Sequence, residues 1–175
     1  MTNTHDVVDE FVRVIRAAGV PVAALDAAPW IEQFEQRLPA RLPSSFRSLV
    51  TRYAFPAFTV GALDLFANTG EGENDLARAV FRDKVLAEVT QSAGYIQFAR
   101  PVDGSYDPIC FDTRGRTGNR EYTIIRLDHE AVLQHSRIVV SDTMAKSFFE
   151  FVKSVVGMKE EQRGKIIYVS EPPDF

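Results

Sequence analysis

The stretch SSFRSLVTRYAFPAFTVGALDLFA, Ser44 to Ala67, changes its periodicity half-way, and that change decides the fold class. Phe46, Leu49, Val50 and Tyr53 repeat at the i, i+3, i+4, i+7 spacing of a core-facing helix that starts around Ser44. Beyond Pro56 the pattern alternates. FTVGALDLFA is rich in β-branched and aromatic residues, with Phe58, Val60 and Ala62 on one side, and reads as one strand or two. Helix therefore gives way to sheet within a few residues.

Upstream of this junction the chain reads as helical. Val7, Phe11 and Ile15, with Val8 and Val12 beside them, predict an amphipathic helix over Asp6 to Ala18, stopped by Gly19 and Pro21. His5 falls in a frayed terminus on this reading. A second helix starts near Pro29, with Trp30, Phe34 and Leu38 along one side. Downstream, NTGEGEND is a turn-rich loop, and Asn74 or Asp75 caps a helix expected to run to about Val89. Tyr95 to Phe98, Ile109 to Asp112 and Tyr122 to Leu127 are strand candidates, the last two joined as a hairpin through TRGRTGN. Ser147, three residues before Glu150, has the capping-box spacing at the head of a helix that Gly157 ends, and KIIYVS adds a possible last strand. Helices, then sheet, then helix make this an α+β chain with a mainly antiparallel sheet, not the alternating βαβ order of a nucleotide-binding sheet.

The totals agree with one such domain. The chain has 175 residues, 45% of them hydrophobic, with 13 phenylalanines to fill a core. Twenty basic against 24 acidic residues leave a net charge of −4, which argues against sequence-independent grip on nucleic acid. One cysteine allows no internal disulfide. The start lacks the basic-then-apolar order of a secretion signal, and no apolar run approaches the ~18 residues of a membrane span, so the expected location is cytoplasmic.

ARPVDGSYDPICFDTRG, Ala99 to Gly115, concentrates the candidate chemistry. Asp103, Asp107 and Asp112 are hard oxygen ligands, yet the run lacks the alternating ligands and closing glutamate of a calcium loop. Asp-Gly followed by Ser is ordinary turn chemistry. Cys110 sits between Ile109 and Phe111 in mid-strand, with no glycine elbow or helix start to lower its pKa. His129 and His135 are six apart, not the i, i+4 pair that holds zinc on a helix, and His129 beside Asp128 and Glu130 reads as a strand end or turn. Arg114, Arg116 and Arg120 have no glycine-rich phosphate loop beside them and read as a solvated hairpin tip. No nucleophile, base and oxyanion donor assemble, so neither catalysis, a metal nor a cofactor is expected.

Taken in order, three segments resemble the SUKH superfamily, which joins yeast cell-wall regulators of the Smi/Knr type to many bacterial immunity proteins. They are IEQFEQRLPARLPSSFRSLVTRY (Ile31 to Tyr53), YIQFARPVDGSYDPICFDT (Tyr95 to Thr113) and MAKSFFEFVKSV (Met144 to Val155). The chain departs from the family in having YAFPAF where a small glycine turn often stands, and Ser105 directly after the turn glycine. The resemblance implies a single domain over 1–175, with its core over about 28–157 and additions at either end. It also implies a cytoplasmic antidote that neutralises a polymorphic toxin, nuclease- or deaminase-like and encoded nearby, by binding it. The alternative is a non-enzymatic regulator or scaffold of the cell-wall type. Trp30, Leu42, Pro43, Phe46, Gly104, Phe111, Ser147 and Phe148 are expected to carry structure, with Ile109 and Phe111 facing the core. Tyr106, Asp107, Asp112 and Arg114 are expected to contribute to the partner surface. An enzyme is the remaining reading, and it would require Asp107, Asp112 and His129 to converge in a pocket.

Overall fold

The computed structural model describes residues 3–115 and 120–168. Along the chain come α1 (Thr4–Ala17), β1 (Ala23–Ala24), α2 (Trp30–Gln36), α3 (Ser44–Arg52) and β2 (Tyr53–Ala54). Then follow β3 (Phe58–Val60), β4 (Leu63–Leu65), α4 (Leu76–Ala79), α5 (Lys84–Ser92) and β5 (Tyr95–Pro101). The last part holds β6 (Ile109–Asp112), β7 (Thr123–Leu127), α6 (His129–His135), β8 (Val140–Ala145), α7 (Phe148–Val156) and α8 (Glu160–Arg163). Strands β3 to β8 form a six-stranded antiparallel meander in chain order, and β1 pairs with β2 as a separate two-stranded ribbon. The arrangement is a single α+β domain. No helix of the described residues is long and apolar enough to cross a membrane.

The handover at Tyr53 has a specific fastening. The side-chain amide of buried Asn68 donates to the carbonyls of Val50 and Tyr53, while its oxygen accepts the Phe55 N–H at 2.8 Å. Carbonyls left open at the end of α3 are thereby satisfied, and the chain is turned into the sheet. Ala62, expected on the buried side of a strand, instead lies exposed with Gly61 in the tight turn between β3 and β4.

Strand alternation sends Ile109 and Phe111 of β6 to one face of the sheet and Cys110 to the other. On the first face α1, α3 and α7 pack together over an aromatic centre. Phe46 of α3 lies 5.4 Å from the Phe98 ring, 5.2 Å from Phe111 and 5.1 Å from Phe148 of α7, and Phe98 stacks on Phe111 at 4.0 Å. Leu42 and Pro43 are buried at the head of α3, and Trp30 is half-buried with its ring 5.7 Å from Phe34. On the second face Tyr95, Cys110, Ile125 and Leu127 make a small cluster beneath α5 and α6.

Glu121, buried just before β7, joins two helix starts. It accepts the Ser45 N–H and hydroxyl of α3 and, at 3.2 Å, the Phe149 N–H of α7. The unpaired N–H groups and positive dipole ends of both helices suit a carboxylate there. Ser147 caps α7 as expected, its hydroxyl accepting the Glu150 N–H at 3.0 Å.

Several expectations are corrected. His5 is not frayed: it lies in α1 with Nδ1 2.8 Å from the Ser48 hydroxyl. The helix expected to reach Val89 is two helices, because Asp83 accepts the Leu86 N–H and starts α5 anew. His129 opens a helix rather than a turn, with Asp128 as its N-cap. Among the described residues of the expected last strand, Ile167 bridges Thr59, and α8 precedes it. Val169, Ser170 and Arg116 lie outside the described residues.

Candidate partner-binding site

The site is built from the turn between β5 and β6. Gly104 adopts φ +81°, a conformation that favours glycine, and Asp103 accepts the Ser105 N–H at 3.0 Å to close the turn. The Ser105 hydroxyl accepts the Asp107 N–H at 3.1 Å, which aims Asp107 back toward the sheet. There its carboxylate takes Arg126 Nε at 2.8 Å, the His129 backbone N–H at 3.0 Å and His129 Nδ1 at 2.5 Å. An ionised carboxylate only accepts, so Nδ1 carries the ring proton. Arg126 also reaches Asp103 at 2.8 Å, so one guanidinium ties both turn aspartates to the end of β7 and the start of α6.

Asp107 is thus committed internally, with its side chain only 14% exposed. Burial pushes its carboxyl up, but the two His129 groups and Arg126 more than offset this and hold it at about 2. Its folded value lies below its ordinary one, so its stabilising contribution is present above about pH 4 and is lost as pH falls toward 2. The difference in unfolding free energy between wild type and Asp107→Asn is expected to shrink by about 2 kcal/mol across that window. Urea titrations at a series of pH values measure it, and a constant difference would overturn the role.

Asp107, Asp128 and His129 bring ligand atoms within 4.8 Å of one another. Asp107 already takes Arg126 and His129, Asp128 Oδ1 accepts the N–H groups of Glu130 and Ala131, and Arg126 sets a positive charge beside Asp107. The geometry is that of a charge network locking the turn.

The four residues expected at a partner surface divide between the two ends of β6. Tyr106 and Asp107 precede it, and Asp112 ends it beside Arg114. Asp112 and Arg114 form a two-pronged pair, Nε to Oδ1 and Nη2 to Oδ2 at 3.0 Å each, with the guanidinium 4.8 Å from the Tyr95 ring. Hydrogen bonds from Arg114 outweigh burial and lower the Asp112 carboxyl. Asp112 therefore does not join Asp107 and His129. Cys110 is fully buried, and burial together with Asp112 pushes its thiol far up, away from the reactive thiolate.

Of the four, Tyr106 and Arg114 stand open; Tyr106 is 69% exposed, its ring edge-on to His129. It overlooks an open groove of about 570 Å³ between α4–α5, β5 and α6. Arg100 and Gln97 form its floor, and sequence reading missed both. For Arg100 the reason is a register shift between Gln97 and Ala99. Regular alternation from Ile96 and Phe98 would place Arg100 on the aromatic core; the bulge puts Ala99 there and turns Arg100 to the face that carries Gln97. Arg126 was legible only as a charge breaking the apolar run of β7. Neither models of known protein families nor curated proteins match this chain.

Proposed function

We propose that this chain is a SUKH-type protein-binding module, acting in the cytoplasm as an immunity protein that neutralises a toxin domain encoded nearby. The observation that carries the proposal is the meeting of three motif segments in one packing unit. Phe46 follows the LP motif, Phe98 and Phe111 flank the Gly-Asp turn, and Phe148 belongs to the SF helix; all four rings touch. The segments whose order suggested the family are thus also the ones that hold the sheet to its helices.

The mechanism is occlusion by a preorganised surface. The Asp103–Arg126–Asp107–His129 ties hold the β5–β6 turn in one shape before any partner arrives. Less ordering entropy is then lost on binding. An exposed tyrosine beside arginines supplies the anchors that carry most energy in such contacts. This task needs no bond-making group, in keeping with a buried thiol and an Asp–His pair spent on structure.

Co-expression with each toxin-like domain encoded beside the gene tests the proposal. Growth rescue and stoichiometric co-purification with one of them are expected. Failure of every neighbour to be rescued or retained would overturn it, and recovery of a multi-protein housekeeping assembly from the native host would favour a scaffold instead.

A further inference from the structure

The groove beneath Tyr106 holds a cation that the described residues do not pair. Among them Arg100 is half-buried and makes no ion pair, and its Nε is buried without a hydrogen-bond acceptor. A buried guanidinium N–H left open is costly, so such groups are ordinarily satisfied. Every other charge around the groove has an assignment. Glu73 lies 3.8 Å from Arg82, Asp83 accepts the Leu86 N–H, and His129 is held by Asp107. Asp64, the cross-strand neighbour of Arg100, bonds the Thr59 hydroxyl and exerts only a longer-range attraction. The Phe66 and Tyr106 rings, 5.7 and 6.0 Å from the guanidinium, flank it and leave its polar rim as the recognition element.

We infer that this groove is the partner-docking surface and that it takes an acidic side chain from an extended or loop segment of a protein partner, seated on Arg100 under Tyr106. The inference rests on the binding-module reading and names the chemistry that module recognises. Three features favour an acidic protein segment over a free anion. Tyr106 stands open, Leu133 at the rim is 45% exposed, and Ala79 and Leu86 also line the groove, so apolar flanks beside the carboxylate also find contacts. The β-bulge supplies the reason this cation exists here at all: without it Arg100 would point into phenylalanines.

Selection from a displayed random-peptide library on the intact protein tests this without knowledge of the natural partner. Enriched peptides are expected to share an Asp or Glu next to apolar residues. They should bind Arg100→Gln at least about tenfold more weakly, bind Arg100→Lys with intermediate strength, and lose the same affinity when the shared acid becomes its amide. Tyr106→Ala, an exposed position, is expected to weaken the same peptides and serves if Arg100→Gln does not fold. No enrichment, enrichment without an acid, unchanged binding to both variants, or equal competition by glutarate alone would each overturn the inference. A toxin still neutralised by both variants would reject the groove and leave the proposed function standing. Failed rescue by wild type would reject that function and leave the peptide result.

Discussion

Phe111→Ala is expected to lower unfolding free energy by about 3–5 kcal/mol, the cost of removing a fully buried ring. The ring lies in a middle strand, stacked on Phe98 and touching Phe46 and Phe148, so the cavity would open where sheet and helices meet and little could collapse into it. Urea unfolding followed by circular dichroism measures the change. The neighbouring substitution Asp112→Ala is the control: it removes a pair with an Arg114 that is 60% exposed, and less than about 1 kcal/mol is expected. Equal, small effects at the two positions would mean that the ring does not hold the core.

The second large effect is expected at Glu121. Glu121→Leu leaves the Ser45 N–H, the Ser45 hydroxyl and the Phe149 N–H without their shared acceptor at two helix starts, at a cost of about 3 kcal/mol or more. Glu121→Gln keeps one oxygen for the Ser45 hydroxyl and Phe149 N–H and loses only the weaker Ser45 N–H contact, so about 1–2 kcal/mol is expected. Burial raises the Glu121 carboxyl above its ordinary 4.5, against the pull of Ser45 and Phe149. A raised acid binds its proton more tightly when folded, so this residue's contribution declines as pH rises through 4.5. The gap between wild type and Glu121→Gln should therefore narrow in the same direction. Identical midpoints for the Leu and Gln variants would remove the two-helix role.

What could be read from residue order was whatever local chemistry determines. Ser147 before Glu150 announces a capped helix, and the switch from Leu49–Val50–Tyr53 to Phe58–Val60 announces the change from helix to sheet. Gly104 after Asp103 announces a turn, and the structure has all three. What escaped depends on distant partners. Helix α6 buries a single residue, Val132, and β8 is mostly exposed, so neither shows an apolar period. Asp107 seemed free to face a partner because its holders, Arg126 and His129, lie 19 and 22 residues further on. Arg100 was hidden by a bulge, which is one residue of slippage that no alternation pattern announces.

The seating of α1 against α7 bears on how the chain is made. Each strand of the meander pairs with the one synthesised just before it, so the sheet zips up progressively as it leaves the ribosome. The six buried residues of α1 emerge ahead of the sheet, yet the surface that shelters them is finished only when Val156 has been added. Chains that stop short of Phe148 thus keep a greasy stripe open to chaperones and proteases, and quality control has a built-in mark for incomplete product.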